Sequence, residues 1–203
     1  GVKWARLSPN DSNHLTLRAK IEFDTKAIGT QQMSMRLAPG QFARDIAFAR
    51  TFGFARDVET LKAMGLARGG SLENAVVIDG DEIVNPEGLR SDDEFIRHKL
   101  LDAVGDLMLA GAPIAGHYEA RQPGHAMNNK LVRAVLFTPS AWCWDTDADA
   151  GVARHLRHSV SAYRQFGAAT LLATAGPKFG CGCFLSNSAI LRSATRPASR
   201  TGG

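Results

Sequence analysis

The chain has 203 residues, 44% of them hydrophobic and 22% charged, which is enough to bury a core without disulfides or metals and too apolar for a disordered polymer. Its longest uncharged apolar stretch, Phe166 to Gly176, is too short to cross a bilayer. The net charge of +4 belongs to the tail: none of the 20 acidic residues lies beyond Asp149, whereas seven of the 24 basic ones do, so the first 149 residues are net acidic. A basic tail suits nucleic acid or anionic lipid, but no aromatic-plus-basic motif accompanies it, and no nucleic-acid partner is expected. No charged-then-apolar leader opens the chain, and Gly1 in place of Met implies a start further upstream. The odd cysteine count, with Cys181 and Cys183 too close to bridge, fits reduced cytosolic thiols better than disulfides or a zinc knuckle.

Leu15, Leu17, Ala19, Ile21 and Phe23 alternate with Thr16, Arg18, Lys20 and Glu22, which predicts a half-buried strand; Met33, Met35 and Leu37 predict a second. Pro39-Gly40 introduces a helix from Gln41 to Ala49 with Phe42, Ile46 and Ala49 inward. Asp57 is a plausible N-cap for a short helix through Met64, stopped by Gly65. Ala75 to Ile78 and Glu82 to Val84 form a hairpin around Asp79-Gly80. Ser91-Asp92-Asp93-Glu94 reads as a capping box starting a helix that runs to Gly111, its apolar side made by Ile96, Leu100, Ala103, Val104 and Leu107. Ile114 to Glu119 is another strand, and Gly124 to Phe137 a last helix burying Leu131, Val135 and Leu136. The order predicts an α+β fold, a two-layer sandwich of helices on a small, mainly antiparallel sheet, occupying residues 1–149. Residues 150–203 read as an irregular, basic, low-acid extension.

Chemistry concentrates on the Ser91 helix. His98, Asp102 and Asp106 stand four residues apart, so they share one stripe opposite the apolar one. Two groups one turn apart can grip a single metal ion, yet the same spacing describes a solvated pair, and no third ligand is evident. His125, in Pro-Gly-His-Ala-Met-Asn-Asn at a helix start, has the residue type for acid–base work or for an ordinary surface position. The remaining histidines have no partner at ligand spacing.

Five segments occur in a recognisable order: Ala49-Arg50-Thr51-Phe52-Gly53-Phe54, Gly65 through Ala75, Asn85-Pro86-Glu87-Gly88-Leu89-Arg90, Asp93 through Leu107, and Gly124-His125-Ala126-Met127-Asn128-Asn129. The series resembles the second domain of the UDP-3-O-acyl-N-acetylglucosamine deacetylases, densely from Asp45 to Leu136 and more loosely from Lys3. That family is a two-domain, zinc-dependent amidohydrolase of Gram-negative lipid A synthesis, which removes acetate from UDP-3-O-(3-hydroxyacyl)-N-acetylglucosamine. The resemblance implies that His98 and Asp102 are two of three ligands to one Zn2+. Thr51 would stabilise the oxyanion, and His125, oriented by Asp106, would protonate the leaving amine. Lys99 and Phe52 would bind the nucleotide sugar. Residues 55–85, including Val58, Ala67, Gly70, Ser71, Ala75 and Val77, would form the acyl passage.

The family's third zinc ligand, a His, and its general base, a Glu, lie in a first domain that nothing before Asn10 resembles. The chain is therefore expected to begin after that domain, to need it as a partner, and to be inactive alone. A cytoplasmic location follows, with at most peripheral membrane contact through the lipid substrate. The competing readings are a non-catalytic module of the same fold that binds nucleotide sugar or acyl chain, and a nucleic-acid binder.

Overall fold

Leu15, Leu17, Ala19 and Ile21 are buried, and Thr16, Arg18, Lys20 and Glu22 between them are not, so the alternation in the sequence becomes one strand with a core face and a wet face. The computed structural model describes residues 2–12, 14–65, 69–147, 151–156, 159–165 and 168–174. In chain order the elements are β1 (Lys3–Ser8), β2 (Leu15–Glu22), β3 (Thr30–Arg36), α1 (Gln41–Asp45), β4 (Thr51–Phe54), α2 (Ala55–Ala63), β5 (Ala75–Asp79), β6 (Glu82–Ile83), α3 (Glu94–Leu107), β7 (Ile114–Arg121), α4 (His125–Leu136), β8 (Trp142–Asp147), β9 (Gly151–Leu156), β10 (Ser159–Gln165) and β11 (Ala168–Thr174).

The larger sheet runs β11-β10-β1-β7-β2-β3, with β9 beside the start of β7 and β8 beside β9. Only β2–β7 and β7–β9 are parallel in it. A three-stranded sheet, β4-β5-β6, pairs β4 parallel to β5 through the crossover helix α2. Its β5–β6 hairpin closes at Gly80, whose φ of 59° is a left-handed conformation that glycine adopts without strain. Helix α3 packs over β2 and β3 and against α4, and α4 over β1 and β10. The α+β architecture of helices layered on a mainly antiparallel sheet is as the sequence predicts. Phe95, Ile96, Leu100, Leu107, Leu131 and Val135 fill the seam, each fully buried aliphatic or aromatic side chain contributing about 2 kcal/mol of transfer free energy. Among the described residues no helix is long and apolar enough to cross a membrane.

Several local expectations need correction, among them the Asp57 cap, since α2 already begins at Ala55 and Asp57 lies in its first turn. Helix α1 ends at Asp45 rather than Ala49, because Arg97 Nη1 donates to the Asp45 carbonyl at 2.6 Å and Ile46 leaves helical geometry. Phe42 is accordingly exposed, while Ile46 and Ala49 are buried. The capping box does not form: the Ser91 hydroxyl turns to Asp93, and Glu94 is taken by Arg50 and by the backbone N–H of Arg90. Part of the stretch expected to be irregular is strand, since β9, β10 and β11 extend the sheet from β7 and β1. Residues 175–203 lie outside the described residues.

Candidate functional site

Helix α3 turns its apolar side into the seam and leaves His98, Lys99, Asp102 and Asp106 along its other side, near the first turn of α4. Each nitrogen of the His98 ring has an oxygen close by. Nδ1 lies 3.2 Å from the Ala49 carbonyl, an oxygen that can only accept, so Nδ1 carries the hydrogen. Burial pushes the imidazole below its ordinary value against the opposing pull of Asp102, which favours the neutral ring at pH 7. Nε2 therefore presents a lone pair, and it faces Asp102 Oδ1 at 3.2 Å. Two acceptors converging so closely repel unless a proton or a metal ion lies between them. A tetrahedral zinc ion with bonds near 2.0–2.1 Å separates two ligand atoms by about 3.3 Å. The pair thus fits zinc in donor type, tautomer and spacing, and the Ala49 carbonyl supplies the outer bond that metal-ligating imidazoles ordinarily make. Among the described residues no group of three or more His, Cys, Asp or Glu side chains could hold a metal ion.

Lys99 Nζ lies 3.0 Å from the second Asp102 oxygen and 5.3 Å from the centre of the Phe52 ring. Phe52 stands edge-on to Phe95 at 4.9 Å and to His98 at 6.3 Å, which gives the site an apolar wall. On the α4 side, His125 is 67% exposed at its side chain, and Nδ1 lies 3.0 Å from both oxygens of Asp106. Its Nε2 is 3.9 Å from Asp102 Oδ1, so the free edge of this imidazole looks towards the His98–Asp102 pair. Six of the expected residues, Phe52, His98, Lys99, Asp102, Asp106 and His125, therefore form one cluster.

Thr51 opens β4 with an exposed side chain, two residues from the Ala49 carbonyl that holds His98. The register Thr51↔Ala75 and Gly53↔Val77 puts these four on the face of the small sheet opposite the buried Val76 and Ile78. Helix α2, with Val58 half-buried, packs on the same strands. Gly70 and Ser71 are exposed in the turn before β5, and Ala67 lies outside the described residues. A Cβ added at Gly53 meets nothing within 4 Å, so there is open space at that position. A cleft of about 680 Å³ opens between Phe23, Asp24, Phe54, Arg56 and Asp81; Arg56 and residues 78–81 belong to the segment expected to form the acyl passage, but none of the individually named site residues lines it.

Two features of the site escaped the sequence reading. Arg50 and Glu94 form a buried pair that pins the start of β4 to α3, with Arg50 Nε and Nη2 reaching the two Glu94 oxygens at 2.9 and 3.0 Å. Beneath Asp106, Asn128 donates to Oδ2 at 2.8 Å and accepts from the Tyr118 hydroxyl at 2.7 Å. Asn128 sits three residues after His125, a spacing that places both on one helix face and could have marked it.

The family model described as UDP-3-O-acyl N-acetylglycosamine deacetylase matches residues 1–137. A protein named UDP-3-O-acyl-N-acetylglucosamine deacetylase from Phenylobacterium zucineum strain HLK1 is 53% identical over 142 residues, 70% of this chain and 48% of that protein. One of the same name from Myxococcus xanthus strain DK1622 is 52% identical over 142 residues, 70% of this chain and 45% of its own. Another, from Shewanella frigidimarina strain NCIMB 400, is 47% identical over 155 residues, 75% of this chain and 51% of its own. The chain spans about half the length of the curated relatives it matches.

Proposed function

The chain belongs to the UDP-3-O-acyl N-acetylglycosamine deacetylase family, and on that premise we propose that it supplies one half of a zinc amidohydrolase site acting on UDP-3-O-(3-hydroxyacyl)-N-acetylglucosamine. In this reading the reaction is hydrolysis of the N-acetyl group, in the cytoplasm of a Gram-negative bacterium, on the route to lipid A. The observation that carries it is the His98 Nε2 lone pair facing Asp102 Oδ1 at 3.2 Å, a pair whose atom types and spacing suit a shared metal ion. A zinc ion there would polarise the acetamide carbonyl and lower the pKa of a bound water.

The chain's own residues would do the rest. His98 and Asp102 hold the ion. The Thr51 hydroxyl donates to the oxygen that becomes negative as water adds to the carbonyl. His125, hydrogen-bonded through Nδ1 to Asp106, presents Nε2 to the sugar nitrogen and delivers a proton as the C–N bond breaks. Lys99 meets an anionic part of the nucleotide sugar and Phe52 packs against it. Val58, Ala67, Gly70, Ser71, Ala75 and Val77 border the acyl chain, a role supported by the open space above Gly53. The third ligand, a His, and the Glu that takes the water proton belong to a first domain not contained in these 203 residues, and deacetylation requires both.

The test mixes the purified chain with the separately expressed first half of a relative and follows acetate release and bound zinc. One zinc per pair and turnover that disappears in His98→Ala support the reading. Turnover by the chain without the other half, or a mixture that stays inert and metal-free, refutes it.

A further inference from the structure

His125 is the most exposed of the six clustered residues, so packing does little to fix its ring. A chain of hydrogen bonds runs beneath it into the core instead. Asp106 carboxylate oxygens can only accept. Asn128 must therefore turn its NH2 towards Asp106 Oδ2, 2.8 Å away, which leaves its amide oxygen facing the Tyr118 hydroxyl at 2.7 Å. That hydroxyl must in turn donate. Only one assignment of hydrogens satisfies every member, because reversing the amide would set its oxygen against a carboxylate. Tyr118 and Asn128 are both fully buried, with no bulk water to compete for these bonds. Burial, with the nearby Asp106 and Asp102 charges, pushes the phenol far above its ordinary value, which favours the neutral donor.

We propose that Tyr118 and Asn128 are positioning residues that orient the Asp106 carboxylate squarely on His125 Nδ1, fixing the Nδ1–H tautomer so that Nε2 faces the metal ligands. The order of bonds runs from β7 through α4 to α3, so three separate elements converge on one proton position. Asn128 also takes up part of the Asp106 charge, which leaves that carboxylate as an orienting group rather than a competing base. This inference rests on the deacetylase reading for what His125 does, but not for how its ring is held.

The experiment labels the chain's histidines with 15N and reads tautomers by long-range 1H–15N correlation at alkaline pH, with His125→Gln assigning the signals. The wild-type chain gives His125 overwhelmingly as the Nδ1–H form. Asn128→Leu lowers the Nδ1–H to Nε2–H ratio about tenfold or more, the size of one charge-assisted bond, and Tyr118→Phe lowers it less, while His98 stays unchanged in both. Tyr118→Phe keeps the ring in the core and serves should Asn128→Leu fail to fold. In the reconstituted pair, the same variants reduce kcat and leave KM alone. A His125 tautomer that is unmoved in a folded Tyr118→Phe or Asn128→Leu chain overturns the proposal. If the ratio moves but the reconstituted pair is inert even in the wild type, the deacetylase reading fails and this one stands.

Discussion

The Arg50 guanidinium and the Glu94 carboxylate meet side-on in the core, Nε to Oε1 at 2.9 Å and Nη2 to Oε2 at 3.0 Å, with the glutamate entirely enclosed. The backbone N–H groups of Arg50 and Arg90 also donate to the carboxylate, and Glu87 and the Gly88 carbonyl each accept one further guanidinium hydrogen. Every charge is thus answered, which is the condition under which a buried pair is tolerable. It ties residues 49–51 to α3, and so sets the Ala49 carbonyl on His98.

Removing one member leaves the other buried and uncompensated. Glu94→Leu should cost roughly 3–5 kcal/mol of unfolding free energy, and Arg50→Met a similar amount. The double variant should recover most of that loss, because no orphaned charge remains. Urea denaturation of the three proteins measures this. Two single losses that simply add would show that the pair is not coupled.

Acid should act on the fold in two steps, through different groups. Burial pushes His117 below its ordinary value of 6.5 and outweighs the pull of Glu119, while its ring nitrogen lies 2.8 Å from the Thr16 hydroxyl. An unfolded chain takes up that proton more readily than the folded one, so stability falls as pH drops through the region below 6.5. For Glu94, burial favours the neutral acid, but the hydrogen bonds from Arg50 and from two backbone amides prevail and hold the carboxyl below its ordinary 4.5. Its contribution is complete above that pH and is lost as pH falls further. The urea midpoint plotted against pH should show both declines, and His117→Gln should shrink only the first, leaving the part due to His98, whose imidazole is also held below its ordinary value by burial.

The shared stripe of the candidate site was legible because its geometry is local. His98, Asp102 and Asp106 lie one turn apart on a single helix, and period alone put them on one stripe. The strand from Leu15 was legible for the same reason, with four apolar residues alternating against polar ones. What was hidden depends on partners remote in sequence. Glu94 looked like a capping residue because its true partner is 44 positions away. Lys3–Ser8 carries too few alternations to announce a strand, and it becomes one by pairing with β7 and β10 on either side. The strands beyond Ala150 gave no period, and their pairing with β1 and β7 supplies what local pattern lacks.

Zinc removal should leave this chain folded. The candidate ligands stand on the side of α3 opposite Phe95, Ile96 and Leu100, and the core closes without them. Stripping metal with a chelator should shift Tm by less than about 4 °C, the change that ~1 kcal/mol produces in a domain of this size. His98→Ala and Asp102→Ala should each abolish stoichiometric zinc in the reconstituted pair, measured by atomic absorption. A chain that unfolds on chelation would mean that the metal is structural and held elsewhere.

Gly53 separates fold from proposed substrate binding most cleanly. It lies in β4 between Phe52 and Phe54, and its backbone needs no left-handed conformation. A Cβ there touches nothing, so the branch point of a Gly53→Val side chain has room, and the change replaces the residue most costly to order in a strand. Stability should rise by about 0.5–1 kcal/mol. The same valine would project over Ala75 and Val77, into the space proposed for the acyl chain. Against the reconstituted pair, KM for a long-chain substrate should therefore increase by about tenfold, the order of effect when a pocket loses room for a methylene or two, and a short-chain analogue should be little affected. Equal losses on both substrates would place the acyl chain elsewhere.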